Sequence, residues 1–518
     1  MVRSRQRLEI NIEELDRLLD RTREGPLSDA EREKLRTALH ALVESMSASS
    51  RTTEKTRAVV DQPPLGEAGP NTTSASGKQS PKKGHGRHSA GDYTAADKVA
   101  IPHPELKSGD GCPECARGRV YHQQEPRVRV RIAGQAPLAA TVFEMERLRC
   151  NACGQVFTAD EPDDLGADKY DATAAAMIAQ LKYGSGVPFA RLERLEHHLG
   201  IPLPAATQWE LMEDAAALAR PAWKQLIRYA AQGELFYNDD TAMRILRLAR
   251  EPSDNRTGIF TSGIVSVWQN RKIALFFTGR QHAGENLADV LAERVDLRHA
   301  PIQMCDALSR NSPKLARGLR ILLANCLSHG RRQFVDIATS FPQECGFVLE
   351  TLGMVYGNDA IAREQGLDAE QRLQFHQQYS RPLMDQLHQW LEDQLNEGRT
   401  EPNSGLGKAI SYLLKHWQPL TLFLREKGAP LDNNLCERAL KKAILNRKNA
   451  LFYRTLNGAQ VGDLFMSLIH TCELNGVNPF DYLTELQRHC SEVEQAPAEW
   501  MPWKYRDTLA RAPSPIAA

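Results

Sequence analysis

The sequence predicts a multidomain α/β protein, with a short cysteine-rich module and N-terminal helices ahead of a mixed sheet domain. Three observations carry that expectation. Two C-x-x-C pairs, Cys112/Cys115 and Cys150/Cys153, stand apart from six cysteines scattered singly. Three strand-like runs follow one another from residue 234, and strand and helix alternate after them. Residues 47–92 shift abruptly to Ser, Thr, Gly and Pro, as a linker does. A chain of 518 residues is also too long for one core, and units of ~100–200 residues are expected.

Composition excludes several classes. Hydrophobic residues at 42% and charged residues at 25% are ordinary for a globular protein and argue against a collagen-like or wholly disordered chain. No uncharged apolar run approaches the ~18 residues of a membrane span, and MVRSRQRLEI lacks a secretory core. Lone thiols in apolar surroundings such as LLANCL suit a reducing, cytoplasmic setting. Lys plus Arg (65) equals Asp plus Glu (65), so any nucleic-acid affinity has to come from local basic patches.

Residues 1–46 carry helical periodicity through Leu8, Ile12, Leu15 and Leu18, then Leu35, Leu39 and Leu42. They read as two amphipathic helices, for packing or for self-association. Residues 47–105 read as a disordered linker ending in the basic tract KQSPKKGHGRH, with Lys78, Lys82, Lys83 and Arg87. Residues 106–160 form a zinc-binding module in this reading. Each C-x-x-C turn sets two thiolates on one side of a knuckle, and two knuckles supply the four sulfurs that zinc(II) takes tetrahedrally: Cys112, Cys115, Cys150 and Cys153. Between them Arg127-Val-Arg-Val-Arg-Ile132 alternates with period two. A half-buried strand there would present Arg127, Arg129 and Arg131 as a basic ladder, either a nucleic-acid contact or a solvated face.

Residues 161–232 look helical, and VPFARLERLEHHLGIPLPAATQWELMEDA reads as helix, Gly200 turn, helix, in the manner of a DNA-binding helix-turn-helix or a plain helical hairpin. Residues 233–455 then supply three meandering strands (ELFYNDDTAMRILRL, GIFTSGIVSVW and KIALFFTG) and alternating PIQMCD, helix, ILLANC, helix. That order is expected of an RNase H-like domain. Residues of about 342–425 are helical and too long for a loop, so they read as an insertion. Residues 456–518 form a helical tail.

Three acids fall where such a fold gathers them. Asp240 lies in the first strand within NDDTAM, Asp306 ends a later strand, and Glu437 opens a helix after the caps Asp432 or Asn433. Asp239 rivals Asp240, because neighbouring strand residues point to opposite faces. Clustered carboxylates repel unless a hard divalent cation joins them, and oxygen-only ligands suit magnesium or manganese. From Glu437 to Arg454 six basic residues face one acid. Arg438, Lys441, Lys442, Arg447 and Lys448 are therefore candidate phosphate contacts, although Glu437 and Lys441 could be a plain surface pair. His329, before Arg331 and Arg332, could orient substrate or be an ordinary polar residue. Gly405-Leu-Gly407-Lys408 lacks the remaining features of a phosphate loop.

The segments KKGHGRH, CPEC/CNAC, NDDTAM, IQMCD, CLSHGRRQF, LDNNLCERALKKAILNRKNALF, LIHTCELNGVNPFDYL and MPWKY together resemble the transposases of the insertion sequence 66 family, members of the DDE superfamily. The resemblance implies a catalytic triad of Asp240, Asp306 and Glu437 holding two magnesium ions, and selects Asp240 over Asp239. It implies an enzyme that binds double-stranded DNA at the inverted repeats of its element, cleaves there, and joins the freed 3′ ends to target DNA. Synapsis of two ends implies a homodimer or higher oligomer at the nucleoid, and small accessory proteins often accompany the family. Ala242, Leu308, Leu327 and Ala450 depart from the family's usual residues. Two other readings stay open: an inactive zinc-containing DNA-binding regulator, and a metal-dependent nuclease that cuts without joining.

Overall fold

The computed structural model describes residues 98–511 apart from 116, 124–127, 133–134, 152, 154, 163–165, 167 and 249–255. The helices expected over 1–46, nearly all of the linker and Arg127 lie outside the described residues. In chain order the elements begin with β1 (Arg147–Arg149), β2 (Val156–Thr158), α1 (Ala172–Ala179), a π turn (Gln180–Gly184), α2 (Phe189–His198) and α3 (Ala205–Ala231). β3 (Leu235–Ala242), β4 (Ile245–Arg247), β5 (Phe260–Trp268), β6 (Arg271–Gly279), α4 (Ala283–Ala292), β7 (Ile302–Cys305), β8 (Leu322–Asn325) and α5 (Leu327–Ile337) follow. Residues 342–425 then carry α6 (Pro342–Glu364), α7 (Ala369–Tyr379), α8 (Arg381–Asn396), α9 (Gly405–Lys415) and α10 (Trp417–Leu420). The chain continues with α11 (Asn434–Ala450), β9 (Tyr453–Thr455), α12 (Leu456–Leu474), α13 (Pro479–Arg488), α14 (Cys490–Gln495) and α15 (Tyr505–Arg511).

The chain divides into two compact units. The smaller holds Gly66–Ala167 with Ala190–Ala205. Each cysteine pair sits in a tight turn there. The Cys112 N–H donates to the Gly118 carbonyl at 2.8 Å, inside a loop bridged between Gly111 and Arg119. The Cys150 N–H donates to the Gln155 carbonyl at 2.8 Å, inside the antiparallel β1–β2 hairpin. The strand expected over 127–132 is absent from its described part. Val128, Val130 and Ile132 are exposed alongside Arg129 and Arg131. Alternation makes an inside and an outside only when a paired neighbour covers one face, and among the described residues, 128–132 have no such partner.

The larger unit holds the sheet, in the order β6-β5-β3-β7-β8. β3 is antiparallel to β5 and β5 to β6, whereas β3, β7 and β8 run parallel. The meander forms because β5 and β6 are joined by Gln269-Asn270, both at positive φ (47° and 64°), the twist that suits a two-residue hairpin. The strands are rich in Ile, Val and Phe, and Phe236, Ile264, Ile273, Leu275, Phe276 and Met304 lie at or near full burial.

The open edge of β6 is closed by a helix instead of another strand. Thr278, Phe276, Ala274 and Lys272 donate their amides to side chains of Asp463, Ser467, Thr471 and Asn475, at 2.6, 3.0, 3.0 and 3.3 Å. The match is geometric. Two strand residues advance ~6.8 Å and four helical residues ~6.0 Å, so a polar side chain every fourth position of α12 meets every second amide of β6. Ser467 and Thr471 are fully buried, so their partners are obligatory.

Burial pushes the Asp463 carboxyl up to about 7, against the donors from Thr278. An acid whose folded pKa stands above its unfolded value of ~3.9 contributes stability that is full at low pH and lost as pH rises through about 7. Asp463→Asn keeps an acceptor for the Thr278 amide and removes the titration. Urea unfolding of this variant between pH 4 and 7 is expected to show a shallower loss of stability than the parent, and an equal slope would refute the assignment.

Candidate active site

Asp239 and Asp240 lie toward the end of β3, and Asp306 directly follows β7, the parallel neighbour of β3. The two strands therefore deliver carboxylates to the same edge of the sheet. Asp239 is the one that meets Asp306. The Asn311 amide nitrogen donates to Asp306 Oδ1 at 2.5 Å and to Asp239 Oδ1 at 3.2 Å, so one donor bridges both acids. Asn311 is fully buried, and its carbonyl accepts from Asn238 Nδ2 at 2.9 Å and Gln303 Nε2 at 2.7 Å. Gln303 also donates to Asn238 Oδ1 at 2.8 Å. This buried amide network fixes the backbone from which the Asn311 side chain reaches the two acids. Burial, with the charges of Asp306 and Asp240 adding to it, pushes the Asp239 carboxyl up to about 6.

Asp240 points elsewhere. Its buried side chain makes a 2.9 Å hydrogen bond with His282 Nδ1, at the start of α4, and lies 3.3 Å from the Arg310 guanidinium. His282 packs on Phe260 with ring centroids 4.3 Å apart, and Arg310 lies over the same ring at 5.9 Å.

Glu437 arrives from α11, whose start is pinned to the sheet. The Asn433 amide nitrogen donates to the Asn238 carbonyl at 3.1 Å, and the Asn433 N–H donates to Cys326 Sγ at 3.2 Å. Asp432 Oδ1 caps the helix by accepting the Asn434 N–H at 3.1 Å. Close approach depends on Gly263, the cross-strand partner of Asp239. A Cβ on Gly263 would lie 2.9 Å from Leu440 Cδ2, and the Cys436 thiol donates to the Gly263 carbonyl at 3.2 Å. Glu437 faces His329 Nδ1, 3.9 Å from its Oε1. Among the described residues the group of metal-type ligands whose atoms all lie within 4.8 Å of one another is Cys326, His329 and Glu437. Neither the three acids nor the four finger cysteines form so tight a group. Burial pushes the Cys326 thiol up to about 12.

The basic residues of α11 divide. Lys442 pairs with Glu473 at 2.9 Å, and Arg447 turns back to Thr241 Oγ1 at 2.9 Å and to the Ala242 carbonyl. Arg438, Lys441 and Lys448 remain exposed. Sequence reasoning missed Asn238, Gln303, Asn311, His282, Arg310 and Cys326. None carries a periodic signal, and polar residues just past a strand end were the available clue.

Asn311 offers a direct check. Asn311→Leu removes the shared donor from two buried carboxylates, and unfolding measurements should show a loss of about 1–3 kcal/mol. The loss should be larger above pH 6, where Asp239 is ionised, than below it. An equal loss at both pH values would mean that the bridge carries no charge.

A family model described as Transposase IS66 family matches residues 169–461, which takes in Asp239, Asp240, Asp306 and Glu437. Three relatives from Sinorhizobium fredii (strain NBRC 101917 / NGR234) are also similar. The chain is 29% identical to the uncharacterized protein y4jD over 66% of this chain and 67% of that one. It is 26% identical to the uncharacterized protein y4hP, over 64% and 61%, and 28% identical to the uncharacterized protein y4qI, over 38% and 37%. Among the described residues no helix is long and apolar enough to cross a membrane. With more than half of its length matched, and with the sheet and its acids inside the match, the chain belongs to the IS66 family of transposases.

Proposed function

We propose that the protein is a DDE-type DNA transposase that binds the inverted-repeat ends of an insertion sequence, cleaves there and joins the ends to target DNA. The observation that carries this reading is the pair Asp239 and Asp306, on adjacent parallel strand ends under one shared amide, with the Glu437 helix docked against the same sheet. The strand order, with the first strand central and the second antiparallel, supports an RNase H-like domain.

The donor set fits magnesium or manganese. Carboxylate oxygens are hard ligands, and burial together with neighbouring charge leaves Asp239 short of a cation. Two ions a few ångströms apart need carboxylates spread more widely than one ion does, and the three acids do not all fall within 4.8 Å of one another. When bound, the ions supply activation of water or a 3′-hydroxyl and stabilise the leaving oxygen in in-line phosphoryl transfer. Asp239, Asp306 and Glu437 would hold them, and Asn311 would orient the first two. Asp240, expected from the resemblance as the first ligand, would instead be a positioning residue, held by His282 and Arg310. Arg438, Lys441 and Lys448 would contact DNA phosphates, with Arg129 and Arg131 contributing from the smaller unit. Lys442 and Arg447 would first have to leave their present partners.

The cysteine module reads as a zinc knuckle pair. Its hairpin leaves Leu148 and Phe157 exposed, so apolar burial alone supplies little stability, and small modules of this kind depend on a metal or a partner. Synapsis of two DNA ends by a homodimer or higher oligomer, and contact with small accessory proteins, belong to the same proposal.

Magnesium-dependent cleavage and joining of terminal-repeat DNA tests the catalytic assignment. Asp306→Asn, Glu437→Gln and Asp239→Asn are each expected to lose activity by on the order of 10²-fold or more while still binding DNA. Asp240→Asn should lose less, and the opposite order at 239 and 240 would return the first ligand to Asp240. Nicked but never joined product would favour a nuclease. Separately, Cys112→Ser and Cys150→Ser should each lower bound zinc by one equivalent, read by elemental analysis, and unaltered zinc would remove the finger.

A further inference from the structure

We infer that Cys326, His329 and Glu437 form a second metal site, for zinc(II) or cobalt(II), that borrows Glu437 from the catalytic set. The sharing of Glu437 rests on the reading above; the site itself does not. Its first support is convergence: a thiol, an imidazole and a carboxylate bring ligand atoms within 4.8 Å of one another. Its second is an unsatisfied atom. Among the described residues the buried His329 Nδ1 has no hydrogen-bond partner, and Glu437 Oε1, at 3.9 Å, is too far to supply one.

The local fold sets this up. Cys326 caps the start of α5 and His329 lies three residues on, in its first turn, so both ligands leave the same helix end. Glu437 comes from the first turn of α11, which the Asn433 amide ties to Cys326 Sγ at 3.2 Å. That amide would also stabilise a thiolate. The chemistry of the set selects the ion. Sulfur and imidazole favour zinc(II) and its neighbours over magnesium, which takes oxygen. Three protein ligands leave a fourth position open to water. His329 and Glu437 are partly exposed, which gives an ion access to the fully buried Cys326. On binding, a sulfur–metal bond forms as the Cys326 S–H gives its proton to solvent, and no oxidation is involved. A carboxylate held by this ion is withdrawn from magnesium, so the site would act as a zinc-responsive brake.

Cobalt(II) titration of the full chain reads the site through its thiolate-to-cobalt absorption. The parent should bind one more cobalt equivalent than Cys326→Ser, whereas Cys112→Ser should keep the Cys326 signal and lose that of the finger. Since Cys326 is buried, His329→Ala serves as the second variant, with cobalt binding weaker by about tenfold or more. Unchanged stoichiometry and affinity in both variants would overturn the site. In the cleavage assay, zinc should inhibit the parent more strongly than His329→Ala, each compared with its own zinc-free rate. Equal inhibition would overturn the sharing of Glu437. A parent without cleavage under any condition would count against the transposase reading and leave the cobalt result standing.

Discussion

Like charges brought together at the ends of neighbouring strands are the constraint around which this domain is arranged. Asp239 and Asp306 repel, and burial makes the repulsion stronger by removing water. One amide, from Asn311, stands between them. A single donor can hold that place only if the backbone that carries it is fixed, and the Asn238 and Gln303 amides bound to the Asn311 backbone carbonyl anchor it there. The same Asn238 receives Asn433 on its own carbonyl, so the network that restrains two acids also sets the start of the helix bearing the third. Local polarity and long-range docking are thus one system.

A second system keeps the sheet from slipping. Register matters here because a one-residue shift of β3 would exchange the positions of Asp239 and Asp240. The side chains of α12 bind successive outward amides of β6, which pairs with β5, which in turn pairs with β3. An edge strand held at several amides cannot translate without breaking all of them. Fixing the outermost strand therefore helps to fix which acid meets Asp306.

Much of this domain was legible in the sequence. The three-strand meander, the strand that leads into Asp306, the strand ending at Asn325, the helical run over 342–425 and the helix with Glu437 in its first turn all follow from period, turn residues and capping. What was not legible depends on contacts between distant residues. Asn238, Gln303 and Asn311 look like ordinary polar positions until folding makes them neighbours. The stripe Asp463, Ser467, Thr471 resembles a solvated helix face, yet it is buried because its partners are amides of a strand nearly two hundred residues away. The alternation at 128–132 misled in the opposite direction, since period two describes a strand only when a neighbour pairs with it.

The two adjacent acids of β3 show how strand geometry divides labour. Successive side chains point to opposite faces, so Asp239 and Asp240 could never both reach Asp306. Asp240, turned away, is matched by His282 and Arg310, two groups that can carry positive charge. Asp239 accepts the shared Asn311 amide and the Asp240 backbone N–H at 2.8 Å, and among the described residues no cation pairs with it. An acid that already has its counter-charges gains little from a metal ion, whereas an acid deprived of one gains a great deal. In the proposed reading, this imbalance of partners, more than position along the strand, is the argument for Asp239 as a ligand and Asp240 as a support. By the same reasoning Arg310, over the Phe260 ring and paired with Asp240, keeps a positive charge near the site without pairing with Asp239 or Asp306.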